Sequence, residues 1–262
     1  MHHALNKGLA LGRPVTFRLF TRLAAGLIAL AITPALHADP VLRVDLGGGA
    51  TQSGFQTWNI GTDGAGPKST TFSATDLASV PTGTVGLTLA GGSDAANLAN
   101  DTLSLNTRTR VGAPTNGGAF TQADLMVDRV VTTGGAAGTG LFLQLTGFAP
   151  STPFAVQVWG YDTQSTGGAK VGNFNLLDRT NGANTSLGTF SATAGQLPTD
   201  NNTFSVSGTV TSDATGKIVL ETISNIDGTG IANGFVISSA VPEPAGTLFI
   251  AVGFAALARR RR

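Results

Sequence analysis

The chain has 262 residues, of which only 12% are charged, with no Cys and three His. Those His (His2, His3 and His37) all lie in the first 37 residues, so the rest excludes a Ser-His-Asp triad, a Cys-His pair and a His- or Cys-ligated zinc. The formal charge of +1 hides an acidic middle: between Asp39 and Ala240 eight bases face fourteen acids, a balance of −6, which excludes the basic footprint that nucleic acid requires.

The first predicted element is a leader. Arg13, Arg18 and Arg22 precede the apolar run Leu23 to Leu36. A basic segment, an apolar segment and small residues in that order read as a signal peptide over residues 1–38. Signal peptidase cleavage is expected after Ala38, with Ala35 as the alternative. The apolar run is short for a spanning helix.

The middle, residues 39–240, is predicted to be all-β: an antiparallel, jelly-roll-type β-sandwich. Strands are expected at Val41 to Leu46, Thr70 to Ala74, Thr84 to Leu89, Thr102 to Val111 and Leu125 to Thr132. Further strands are expected at Leu141 to Thr146, Phe154 to Trp159, Val171 to Leu177, Thr203 to Val210, Lys217 to Ile223 and Ala232 to Ser238. Apolar and polar residues alternate within them, as Phe154, Val156 and Val158 do with Ala155, Gln157 and Trp159. A period of two marks strands with one buried face. Asx-Gly and Gly-Gly pairs between them supply turns. With no Cys, stability must come from core burial, and about 200 residues suffice for that.

Several side chains stand out in chain order. Asp45 reads as a turn cap or a buried partner for Arg43 or Arg129. Trp58, in an early apolar segment with Phe55 and Ile60, reads as core. Arg108 and Arg110 share one strand face and suit either an acidic sugar or a solvated edge. Asp124 and Asp128 would sit on one strand face about 13 Å apart, too far for a glycosidase pair. Trp159, Tyr161 and Asp162 run off a strand into a Gly-rich loop and form the candidate ligand-binding cluster. Aromatic faces beside carboxylates hold sugars, although the same rings can pack under a loop or against a second sheet. Asn225 and Asp227 with Gly228, and Asp63 with Gly64, offer hard oxygens for a metal, or ordinary Asx-Gly turns.

Val44-Asp45-Leu46-Gly47 with Thr51 to Trp58, Asp124 to Val130, Leu145 to Pro150 with Trp159 to Asp162, and Asn233 to Ser238 resemble strands of malectin-like and galactose-binding-like jelly rolls. Phe154 stands where that group usually has Tyr. The resemblance implies a lectin-like, non-catalytic domain binding extracellular polysaccharide, without a cofactor apart from a structural Ca²⁺. A purely structural or adhesive matrix protein is the alternative, and a glycan-active hydrolase of unusual chemistry the third.

The last element is a tail over residues 241–262. Pro242-Glu243-Pro244 is followed by a short apolar helix, Ala245 to Ala258, and four Arg. Fourteen helical residues span about 21 Å, less than the hydrocarbon core of a membrane. The ordered trio resembles the PEP-CTERM sorting domain of exosortase substrates. That resemblance implies transient inner-membrane contact, processing by an exosortase, and delivery to a bacterial cell surface or extracellular matrix.

Overall fold

The computed structural model describes residues 40–240 except 62, 110–113, 134, 137, 163–171 and 225–228. The leader, the PEP tail and their expected helices therefore lie outside the described residues. Fifteen strands are present among those described. They are β1 (Pro40–Leu46), β2 (Gln56–Trp58), β3 (Gly64–Ala65), β4 (Lys68–Ser73), β5 (Thr84–Gly92), β6 (Ser104–Thr109), β7 (Asp128–Thr133) and β8 (Gly140–Thr146). Then follow β9 (Pro153–Trp159), β10 (Gly172–Asp178), β11 (Thr185–Ala192), β12 (Ser205–Thr211), β13 (Ile218–Ser224), β14 (Ile231–Ala232) and β15 (Gly234–Ser239).

These strands make a β-sandwich. A five-stranded sheet runs β12-β9-β15-β1-β2, a six-stranded sheet β11-β10-β13-β8-β5-β4, and a four-stranded sheet β14-β7-β6-β3. Pairing is antiparallel except between β1 and β2. Leu42, Val44, Phe154, Val156, Val158, Phe235 and Ile237 of the first sheet meet Val85, Leu87, Leu89, Leu141, Leu143, Leu145 and Leu220 of the second in one core cluster. Each such side chain taken fully from water contributes about 1.5–3 kcal/mol. The alternation read from sequence is the geometry that makes this possible.

Four local expectations differ from the structure. Residues 124–126 form a 3-10 turn, and β7 starts at Asp128, so Asp124 and Asp128 share no strand face. Phe204 does not continue β12: it takes φ of 62°, leaves the alternation and packs on Tyr161. The closing strand breaks at Asn233 into β14 and β15. Phe142 points away from the main core yet is buried, because the turn at Leu98–Asn100 covers it with Leu98 and Ala95. Both faces of the central strands are thus covered there, which alternation alone does not reveal.

Candidate functional site

The expected ligand cluster lies inside the molecule. Trp159 is 2% exposed, Tyr161 0% and Asp162 1%. Alternation does place Trp159 opposite Val156 and Val158, but a second apolar cluster waits on that side. It comprises Phe120, Leu125, Met126, Val131, Phe174, Phe204 and Ile231 around the two rings. The indole N–H of Trp159 donates to the Asn201 carbonyl at 2.8 Å, and Phe55 meets the indole edge-on at 6.4 Å. Asp162 pairs with Arg129 at 2.6 Å, both side chains almost fully buried. Rings and carboxylate in this state offer no face for sugar stacking. They are structural, which corrects the sequence reading of Trp159, Tyr161 and Asp162 as a binding cluster. Trp58 is exchanged in the same way: it is only half-buried, at the rim of the main core against Phe72 at 6.4 Å.

Asn233, fully buried, ties this end together. Its backbone N–H donates to Trp159 O at 2.9 Å and its carbonyl accepts from Leu46 N at 2.7 Å. Its side-chain amide donates to Asp128 O at 2.6 Å and accepts from the backbone N–H of Tyr161. Beside it, the Asp128 carboxylate accepts from Gly49 N. A side chain at Gly47 or Gly49 would collide with Asp128, which explains the glycine turn there. Asp45 is the turn cap that its sequence position suggested: its carboxylate accepts from Gln52 N at 2.8 Å. Burial, opposed by that hydrogen bond and reinforced by Asp128 and Asp124, pushes its pKa up to about 6.

A second buried carboxylate lies on the outer face of the six-stranded sheet. Glu221 is 2% exposed and faces Arg179 at 3.3 Å. Burial outweighs the Arg179 guanidinium, and nearby Asp101 adds to it, so the pKa rises to about 7. Asp101 is itself spent on holding the backbone N–H groups of Ser93 and Asp94, both at 3.1 Å.

A groove opens elsewhere, beside β1. It has a volume of about 210 Å³ and is lined by Pro40, Val41, Leu42, Arg43, Gly54, Gln56 and Thr75. Arg43 and Thr75 are exposed. The Gln56 amide donates to Ser73 O at 2.8 Å and accepts from Ser73 N at 3.2 Å, so it is locked between β2 and β4. Thr75 Oγ1 donates to Pro40 O at 2.9 Å. Gly54 has φ of +81°, and a methyl added there would come within 3.2 Å of Arg43 Nη1. Arg43 Nη1 therefore sits beside the bare backbone of Gly54. Half-buried Phe55 follows at once. Sequence reading missed this groove because its residues come from three separated segments. Arg43, the one cation inside apolar β1, was the available signal.

Asn225, Asp227 and Arg110 lie outside the described residues, as do Pro242, Glu243, Pro244 and Ala38. Asp63 accepts from Thr107 N at 2.9 Å, and Arg108 is exposed on β6. Among the described residues no three acidic, His or Cys groups gather where a metal ion could sit, and no helix is long and apolar enough to cross a membrane.

No protein-family model matches the sequence, and no curated protein matches it. Among solved structures, the chain is similar to the Bacillus subtilis protein YxiM, at 11% identity and a TM-score of 0.38, over 78% of this chain and 41% of that one. It is similar to the CBM22-1 and GH10 modules of a Clostridium thermocellum xylanase solved with xylohexaose, at 13% identity and a TM-score of 0.32, over 53% of this chain and 25% of that one. The tandem CBM22 domains of a Paenibacillus barcinonensis xylanase match at 16% identity and a TM-score of 0.32, over 53% of this chain and 43% of that one. The chain thus spans less than half the length of each of these three. At such values the likeness carries no argument about ligand or activity.

Proposed function

We propose that the protein is an exported, surface-sorted, non-catalytic component of a bacterial extracellular matrix whose jelly-roll-type sandwich binds polysaccharide. The observation that carries the binding part is the groove at Arg43. It combines an exposed cation beside the bare backbone of Gly54, two polar side chains fixed by backbone hydrogen bonds, and the half-buried ring of Pro40. Few, well-placed polar groups over an apolar surface are what a saccharide site requires. The non-catalytic part is supported by how the buried carboxylates are used. Asp45 and Asp128 cap turns, while Asp162 and Glu221 are paired with Arg. Export, exosortase and signal peptidase as processing partners, and transient inner-membrane contact rest on the sequence of residues 1–38 and 241–262.

The test is binding of the purified exported chain to a panel of insoluble and arrayed glycans, xylan included. Retention of at least one polysaccharide by the folded wild type, with no release of reducing ends, is the expected result. A folded chain that retains none sinks the reading. One observation favours the structural alternative: β4 and β11 present exposed Ser and Thr rows, with Ser69 and Thr88 hydrogen-bonded at 2.8 Å. That alternative expects no glycan binding and concentration-dependent self-association in sedimentation.

A further inference from the structure

We infer that the Arg43 groove takes an acidic sugar unit, its anionic oxygens held by the guanidinium; this rests on the polysaccharide-binding reading above. The argument starts from charge pairing. Of the six described cations, Arg129, Arg179 and Lys217 each face a carboxylate, at 2.6, 3.3 and 3.7 Å. The Arg43 side chain has neither a hydrogen bond nor an ion pair with any described residue. In a stretch where fourteen acids outnumber eight bases, partners for a guanidinium are abundant. A cation that lines a groove and still has none is available to a ligand.

The geometry supports the same conclusion. Gly54 leaves room for the Arg43 guanidinium beside it, and any side chain there would press on Nη1. A planar guanidinium fork with no protein partner suits a carboxylate or sulfate, which accept two parallel N–H bonds. The walls define the rest of the ligand. Pro40, half-buried at the strand's start, offers apolar contact, and Gln56 and Thr75, each fixed by its backbone bonds, keep lone pairs for hydroxyls. Net charge gives a discriminating feature. With a balance of −6 the domain as a whole repels a polyanion, so attraction must be local to the groove. At about 0.15 M salt the screening length is about 8 Å, which removes the distant repulsion but leaves a contact pair in place.

The experiment is affinity electrophoresis and calorimetry of the exported chain at about 0.15 M salt, against polygalacturonate, dextran sulfate and neutral xylan. Wild type, Arg43→Gln, Arg43→Lys and Arg108→Gln are compared, with thermal melts as the control for folding. Wild type is expected to bind one of the polyanions at least about 10-fold more tightly than xylan, a margin of about 1.4 kcal/mol. Which polyanion binds tells carboxylate from sulfate. Arg43→Gln should lose that preference with an unchanged melt, Arg43→Lys should keep only part of it, and Arg108→Gln should keep all of it. Equal binding by Arg43→Gln, equal loss in Arg108→Gln, or a preference for xylan overturns the inference while leaving polysaccharide binding intact. Failure of every glycan to bind removes the broader reading as well.

Discussion

Trp159 and Trp58 carry the same ring and differ only in surroundings, so they measure burial directly. Trp159 is enclosed by the second apolar cluster and bonded to Asn201, whereas Trp58 keeps one side at the surface. Trp159→Ala is expected to cost about 3–5 kcal/mol, and Trp58→Ala clearly less, in urea unfolding of the purified protein. Equal losses would contradict the burial. Asp162→Ala should cost a similar 3–5 kcal/mol, because it removes the carboxylate that faces the buried Arg129 charge. Glu221 supplies a pH signature. Its folded pKa of about 7 lies above the ordinary 4.5, and that of Asp45, about 6, lies above 3.8. Between those values the folded state holds protons that the unfolded chain has released, so stability falls as pH rises from about 4 to 7. Asp200, held low by the backbone N–H of Asn202, and Asp76, held low by the Ser79 hydroxyl, act oppositely and only below about pH 4. Urea midpoints measured from pH 4 to 8 should therefore decline, and Glu221→Gln should flatten the decline. A midpoint that rises across this range contradicts the burial of Glu221.

At the scale of elements, Asn233 is the joint between β7, β9, β14 and β15. Asn233→Ala would leave Asp128 O and the Tyr161 N–H unpaired in a site without water access. Each buried unpaired group costs about 1–3 kcal/mol, so a loss of about 2–5 kcal/mol is expected in the same urea measurement. Asn233→Asp keeps the acceptor but not the donor, and should recover only part of it. A change below about 0.5 kcal/mol would mean that the bonds carry no net stability. Most strands were legible because their side chains alternate, as in β9 and β12. β11 escaped because the segment Thr185–Ala192 has apolar side chains only at Leu187, Phe190 and Ala192, with a register break against β10 where Leu187 intervenes. β2, β3 and β14 are too short to show any period.

For the whole molecule, charge and processing can be checked together. Intact mass of material from the native host should lack residues 1–38 and the terminal Arg cluster. The processed chain should focus below neutrality, since fourteen acids against eight bases remain in residues 39–240. Released protein that retains Arg259 to Arg262, or a focusing point above neutrality, would refute the assigned ends. What the sequence determined by itself is the all-β class, most strand positions, the acidity of the middle and the exclusion of His and Cys chemistry. These depend on composition and on near-neighbour periodicity, which are local. The role of each aromatic ring and the position of the groove were decided only by tertiary structure. Alternation states which face a side chain takes, but not whether another layer covers that face. Phe120, Phe174 and Phe204 arrive over Trp159 and Tyr161 from distant segments, and Arg43 stays open because Gly54 brings no side chain to cover it.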